Sequence, residues 1–274
     1  MNSDNNGISS NSIKAFLIEL LFNETVLSTG TAFFGKIGER LLLFTNRHNV
    51  TGLNNETGKC LSKTGGIPNK LRVSLPNVFI NDVQTGRLEA NNFHEFIIDL
   101  YWDDSFEKPG WIEHPLRKII DVIGLVVDVD FDISNLTFDV SSFNQHWYAG
   151  SYVSVIGFSF GLSAAYYPIW ISGYIATEPI IDYGGLPMFL IDSRTRPGQS
   201  GSPVVSVLRS GQTIVQDGVT LSVTGNIFEL IGIYSGRINS ESDLGRVWKV
   251  SVIREILLNG VQYLPYFLSF LWFT

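Results

Sequence analysis

Three polar side chains, each beside an apolar segment, have the types needed for nucleophilic catalysis. His48 lies in a polar turn that follows the strand-like run 42–45. Imidazole is the side chain best suited to accept a proton near neutral pH, so His48 is a candidate general base. Taken alone, a loop histidine is more often a surface or hydrogen-bonded residue, because catalytic pockets are few per protein.

Ser200 lies in the glycine-flanked segment Gly198-Gln199-Ser200-Gly201. Glycines on both sides permit a tight turn in which backbone N–H groups converge beside an exposed hydroxyl, which is the arrangement of an oxyanion hole with a nucleophile next to it. The alternative is an ordinary hairpin turn. Pro203 and the β-branched residues after it favour a strand, so the segment is not the strand-to-helix nucleophile elbow of α/β-hydrolases.

Asp121 precedes the apolar run 122–127. An acid at the mouth of such a strand can be shielded from water and can hold a histidine ring by its Nδ1–H. Alternatively, its carboxylate satisfies turn amides. Three more acids, in or just after an apolar strand, are rival candidates, and three more histidines are predicted to be structural or solvent-facing. These residues are Asp99, Asp103, Asp104, His94, His114 and His146.

The spacing of apolar residues indicates which elements position these side chains. Short apolar segments rich in Val, Ile, Phe and Tyr are bounded by Gly, Asn, Asp or Pro. This pattern predicts roughly a dozen strands, arranged in antiparallel barrels or sandwiches. Only 245–258 has apolar residues at spacings of three and four, and the pair Asn259-Gly260 follows it as a stop signal. The sequence therefore predicts an all-β body with one late helix.

Composition narrows the function classes. The chain has 274 residues, 45% hydrophobic and 16% charged, which excludes a disordered chain or a coiled coil. A net charge of −7 without a basic patch argues against nucleic-acid binding. Cys60 is the single cysteine, no secretory signal is recognised, and no apolar run is long enough to span a membrane, so a cytoplasmic location is expected.

The chain order His48, Asp121, Ser200 is that of the chymotrypsin-like arrangement, not of subtilisin-like enzymes or α/β-hydrolases. The sequence resembles the trypsin-like (chymotrypsin-fold) serine peptidases, in the bacterial intracellular branch related to the high-temperature-requirement proteases. The resemblance covers about residues 12–258. It is carried by five segments: Gly30–Phe34, Phe44–Val50, Asp121–Leu125, Asp192 with Gly198–Pro203, and Leu230–Gly236.

This resemblance implies two six-stranded antiparallel β-barrels with a C-terminal helix. The expected units are a first barrel over 12–140, a second over 146–245, a helix over 246–260 and an apolar tail over 261–274. The uncharged tail either packs onto a barrel or docks to a partner protein, a second copy or a membrane surface.

The resemblance also implies the chemistry of a serine endopeptidase that acts on polypeptides without a cofactor or metal. His48 would deprotonate Ser200, Asp121 would fix the tautomer of His48, and the N–H groups of Gly198 and Ser200 would form the oxyanion hole, with an acyl-enzyme as intermediate. The alternative is a catalytically idle module that binds extended peptides by strand addition.

Specificity and activation follow from the same resemblance. The expected substrate-binding residues are Arg194, Arg196, Ile233, Tyr234, Ser235 and Gly236. With Arg237, the two arginines would favour an acidic substrate side chain, unless they pair with acids such as Asp192 or Glu229 and leave a small apolar pocket. Gln199 is uncharged where secreted relatives carry an acid that pairs with a new N-terminus. Activation is therefore expected without propeptide cleavage.

Overall fold

The computed structural model describes residues 8–262 apart from residues 63, 83–86, 143–146 and 217–218. The first half holds eight strands and a short helix: β1 (Phe16–Phe22), β2 (Thr25–Ile37), β3 (Arg40–Thr45), α1 (Arg47–Thr51), β4 (Lys70–Asp82), β5 (Arg87–Asp99), β6 (Ile112–Glu113), β7 (Ile123–Leu125) and β8 (Thr137–Asp139).

The second half holds the remaining elements. They are β9 (Tyr152–Gly157), β10 (Ile169–Ile175), β11 (Met188–Ser193), β12 (Pro203–Leu208), β13 (Thr213–Gln216), β14 (Val219–Ser222), β15 (Ile227–Arg237), β16 (Leu244–Lys249), α2 (Val250–Asn259) and β17 (Val261–Gln262). Single 3-10 turns occupy Ser10–Ile13, Arg117–Ile119, Ser134–Leu136, Ser159–Gly161 and Tyr183–Gly185. None of the described helices is long and apolar enough to cross a membrane.

The second half contains a closed six-stranded barrel in the order β10-β11-β16-β15-β12-β9. All of its pairings are antiparallel. Its interior is filled by side chains such as Val155, Phe189, Ile191 and Val247, all buried. β-Branched and aromatic side chains suit such positions, because they pack well against a pleated surface. The predicted mostly-β fold and this barrel are confirmed.

The first sheet does not close. It has nine strands in the order β17-β6-β7-β3-β2-β1-β4-β5, with β8 paired in parallel to β2. β1 alternates buried and partly buried residues, so Phe16, Ile18 and Leu20 face the core. The prediction of a second closed barrel is not confirmed, because β6 is only two residues long and pairs with β7 and β17 rather than with β5.

The late helix begins at Val250, later than the residue 246 expected from the sequence. Residues 244–249 instead form β16, which lies between β11 and β15 and completes the barrel. Helical spacing alone misplaced this boundary, because it takes no account of the pairing of 244–249 with β11 and β15, which keeps the segment extended. Of the predicted apolar tail, β17 is described, whereas 263–274 lies outside the described residues.

Helix α2 lies over the junction of the two halves. Its buried Ile253 and Ile256 belong to one apolar cluster with Phe33 and Phe44 of the first sheet and Trp248 of the barrel. Burial of apolar surface from both halves favours a fixed arrangement of the sheet and the barrel. The exact domain boundaries remain predictions.

Candidate active site

His48 lies on α1, a single helical turn, rather than in an irregular loop. The chain enters this turn through the fully buried Thr45 and Asn46, and the Asn46 side-chain amide donates to the carbonyl of Asp121 at 2.8 Å. Gly52 ends the turn with φ +65°, and its N–H donates to the carbonyl of His48 at 3.0 Å. A left-handed residue at this position is typical of a helix end, and glycine adopts it without strain. The backbone around His48 is thus fixed on both sides.

Asp121 holds His48 through both its main chain and its ring. Oδ1 accepts the backbone N–H of His48 at 2.8 Å, and Oδ2 lies 2.6 Å from Nδ1 of the imidazole. Oδ2 also accepts the hydroxyl of Ser235 at 2.6 Å. The Asp121 residue is only 5% exposed, so little water competes for these bonds. With Nδ1 facing the carboxylate, Nε2 is the ring nitrogen left to accept a proton.

The turn that carries Ser200 requires glycine at two positions. Gly198 has φ +92° and Gly201 has φ +88°. A Cβ on Gly198 would lie 2.3 Å from the carbonyl oxygen of Phe158, and one on Gly201 would lie 2.0 Å from that of Thr31. Both the dihedral angle and the lack of space therefore exclude a side chain at either position.

The same turn leaves two backbone donors available beside Ser200. The carbonyl of Pro197 accepts the N–H of Phe160 at 2.6 Å, so the N–H of Gly198 in that trans peptide points away from Phe160. Within the described part of the chain, the N–H groups of Gly198 and Ser200 donate no hydrogen bond. These are the two donors for which the resemblance implied a role in an oxyanion hole.

Gln199 is held inside the protein by the neighbouring turn. It is fully buried, and its Nε2 donates to the hydroxyl of Ser159 at 2.9 Å. Its Oε1 has no hydrogen-bond partner among the described residues. The residue before Ser200 is thus a neutral side chain that is bonded within the barrel half.

A cavity between the first sheet and the barrel joins the predicted catalytic residues. His48, Asp121 and Ser200 all line it, although they come from α1, the segment before β7 and the segment before β12. The other lining residues are Asn54, Asn55, Glu56, Leu61, Ile119, Leu186, Met188, Ser235, Gly236, Arg237, Arg246 and Trp248.

The predicted substrate-binding strand divides into two parts. Ser235 and Gly236 line the cavity, but Ile233 and Tyr234 do not. The N–H of Tyr234 donates to the carbonyl of Ser202, and its carbonyl accepts the N–H of Gly201, each at 2.9 Å. The backbone N–H and carbonyl of Tyr234 are therefore both bonded to the turn that follows Ser200.

The side chain of Tyr234 belongs to the barrel interior. Tyr234 is 2% exposed, and its hydroxyl contacts the hydroxyl of Thr195. Burial raises the pKa of Tyr234 to about 12, although the nearby guanidinium groups of Arg237, Arg246 and Arg196 each lower it. The phenol thus lies in the barrel core, with three arginine side chains near it.

The arginines predicted to bind substrate differ in their position relative to the cavity. Arg194 is exposed, Arg196 lies 3.3 Å from the carboxylate of Asp243, and neither lines the cavity. Arg237 does line it, together with Arg246, which the sequence did not single out. Arg246 belongs to β16, which was predicted to be helical, and this error concealed its position.

The rival acids and histidines lie elsewhere. Asp103 closes a local turn, where hydrogen bonds from the Ser105 hydroxyl and the Lys108 amide lower its pKa. His114 contacts Glu255 through Nε2 and accepts the N–H of Leu116 at Nδ1, which is a structural role. His94, Asp99 and Asp104 do not line the cavity, and His146 lies outside the described residues. In the described ranges, no three metal-ligating side chains come together.

Comparison with known proteins gives only structural similarity. No protein-family model matches the chain, and no curated protein matches it. A serine endoprotease from Yersinia pestis has 13% sequence identity and a TM-score of 0.46, with 92% of this chain and 68% of that chain covered. The Rv3671c protease in its inactive form has 16% identity and a TM-score of 0.46, covering 90% and 89%.

The active form of the Rv3671c protease from M. tuberculosis is also similar, with 14% identity, a TM-score of 0.42 and coverage of 93% and 85%. TM-scores and identities this low do not establish an activity for this chain.

Proposed function

We propose that the protein is a serine endopeptidase whose catalytic residues are His48, Asp121 and Ser200. The observation that carries this proposal is the 2.6 Å contact between the His48 Nδ1 and the carboxylate of Asp121, in the same cavity that Ser200 lines. A buried acid on Nδ1 fixes the tautomer in which Nε2 accepts a proton, and it stabilises the imidazolium that then forms.

In the proposed reaction, Nε2 of His48 takes the proton of the Ser200 hydroxyl while Oγ attacks the carbonyl carbon of a peptide bond. The developing oxyanion accepts hydrogen bonds from the N–H groups of Gly198 and Ser200. In the described structure these two N–H groups donate no other hydrogen bond. His48 returns the proton to the leaving amine as the C–N bond breaks. A water molecule, deprotonated by His48, then hydrolyses the acyl-enzyme and restores Ser200.

A fluorophosphonate probe tests the proposal without knowledge of the substrate. We expect it to label the wild-type protein at Ser200 and to leave Ser200→Ala unlabelled. Asp121→Asn should lower the labelling rate by about 10³–10⁴-fold, because an amide facing Nδ1 favours the wrong tautomer. Asp192→Asn is the matched control, since Asp192 is exposed and lies outside the cavity.

Peptide hydrolysis by the same variants completes the test. Failure of the folded wild-type protein to react with the probe would reject the enzyme. If that protein nevertheless bound extended peptides in this cavity, its function would be that of the alternative, a catalytically idle peptide-binding module.

A further inference from the structure

Two arginines give one wall of the active-site cavity a positive charge. Arg246 donates from Nη1 to the carbonyl of Arg237 and from Nη2 to that of Ile238, each at 3.2 Å. These bonds fix its guanidinium at the end of β15, close to Ser235 and Gly236. Arg237 also lines the cavity, and within the described ranges no acid pairs with it.

The opposite wall supplies an acid that pairs with one of these arginines. Glu56 follows α1 and places Oε1 3.1 Å from Nη2 of Arg246. Its turn is well defined, because Oδ1 of Asn54 accepts the N–H groups of Glu56 at 3.0 Å and Thr57 at 2.8 Å. An ion pair from the first half of the chain thus reaches an arginine of the barrel within the candidate active site.

The two partners differ in how firmly they are held. The Glu56 side chain is 65% exposed, whereas that of Arg246 is 22% exposed and keeps its two carbonyl bonds. Exposed ion pairs are weak, because both side chains lose conformational freedom and salt screens the attraction. Glu56 can therefore leave while Arg246 remains in place.

We propose that this cavity recognises an acidic side chain of the peptide substrate, and that Glu56 is its intramolecular competitor. The proposal rests on the proposed function, since it names the substrate class of that site. For a substrate carboxylate that replaces Glu56 at Arg246, Arg237 adds a second positive charge in the same cavity. Charge-assisted hydrogen bonds of a guanidinium to a carboxylate are strong, and the same charges repel Lys and Arg side chains.

The apolar part of the cavity strengthens this discrimination. Leu186, Met188 and Trp248 line the cavity beside Arg246. A carboxylate bound against these side chains interacts with the arginines through a medium of lower effective dielectric constant than water. The site therefore suits an acidic residue within an otherwise apolar peptide.

Binding to the inactive Ser200→Ala protein tests the inference separately from catalysis. The probes are two fluorescein-labelled peptides, one of alternating Glu and Leu and one with Gln in place of each Glu. We expect Ser200→Ala to prefer the Glu peptide. Adding Glu56→Gln should tighten binding of the Glu peptide by about tenfold and that of the Gln peptide by less than about twofold. Glu39→Gln, which removes an exposed acid outside the cavity, should change neither affinity.

Arg246→Gln, added to Ser200→Ala, should remove most of the preference for the Glu peptide. Arg209→Gln, the control, removes an exposed arginine outside the cavity and should leave the preference for the Glu peptide unchanged. Equal affinity for the two peptides, or a preference that survives Arg246→Gln, would overturn the inference. If a fluorophosphonate still labels the wild type in that case, the proposed function stands and only the acidic specificity falls. A Glu preference without labelling would instead reject the enzyme and retain the binding site.

Discussion

The backbone N–H of Thr31 donates a 2.9 Å hydrogen bond to the carbonyl of Ser200, which connects β2 directly to the turn of the candidate nucleophile. The Thr31 hydroxyl donates to the carbonyl of Gly198 at 2.9 Å and accepts the N–H of Phe158 at 3.2 Å. Asn49, on the same helical turn as His48, adds a 3.2 Å bond to the Ser200 carbonyl. The first half of the chain therefore positions both His48, the candidate base, and the turn that carries Ser200.

Thr31→Val should slow fluorophosphonate labelling by about tenfold, because the carbonyl of Gly198 and the buried N–H of Phe158 lose their hydroxyl partner and the turn relaxes. Thr31→Ser keeps the hydroxyl and should retain most of the rate. Thermal unfolding of both variants separates positioning from folding. A Val variant that labels at the wild-type rate would show that the turn holds its geometry without Thr31.

Gly198→Ala should abolish labelling and lower the free energy of unfolding by about 1–3 kcal/mol, because alanine at φ +92° is strained and its Cβ would meet the carbonyl of Phe158. The matched control is Gly38→Ala, at φ +55° with nothing within 4 Å of the added Cβ. In that variant the alanine has the same left-handed backbone conformation, but its Cβ meets no neighbouring atom. The probe should therefore label it at the wild-type rate. Chemical denaturation and labelling rates measure the two effects.

The uncut chain should be reactive, because Gln199 is held by Ser159 and needs no charged partner. Removing residues 1–7 at an engineered cleavage site should change the labelling rate by less than about twofold. Gln199→Glu should reduce both stability and labelling, since it buries a carboxylate in a fully enclosed position. Reactivity that appears only after N-terminal trimming would contradict this prediction.

The structure brings the three residues that the sequence suggested as catalytic candidates into one cavity, whereas it places some of the elements around them differently from the prediction. His48, Asp121 and Ser200 could be chosen because residue type, glycine flanks, chain order and the family resemblance can all be read from the sequence. Arg246 could not, because its place in the cavity depends on the pairing of β16 with β11 and β15, which overrides the helical spacing around it.

Contacts distant in sequence explain the remaining differences. The hydroxyl of Ser235 bonds to Asp121, 114 residues away, whereas the sequence placed Ser235 only among the substrate-binding residues. Thr31 lies in a segment whose composition is ordinary for a strand. The open first sheet likewise depends on which partner the two-residue β6 adopts.

Alkaline pH should destabilise the fold through Tyr234. Burial raises the pKa of this phenol from 10.0 to about 12. Between pH 10 and 12 the unfolded chain has lost the phenol proton while the folded chain keeps it, so the unfolded state binds fewer protons and the free energy of unfolding falls as pH rises. One such group contributes a slope of up to about 1.4 kcal/mol per pH unit.

Tyr234→Phe should therefore flatten the fall in stability over this pH window, although it costs about 1 kcal/mol at pH 8 through loss of the hydroxyl contact with Thr195. Urea unfolding at a series of pH values measures both effects. Tyr152→Phe is the control of opposite sign, because the hydrogen bond with Ser172 lowers the pKa of Tyr152, and removing that phenol should not flatten the curve. An unchanged slope in Tyr234→Phe would mean that the phenol ionises equally in both states and is not enclosed in the barrel.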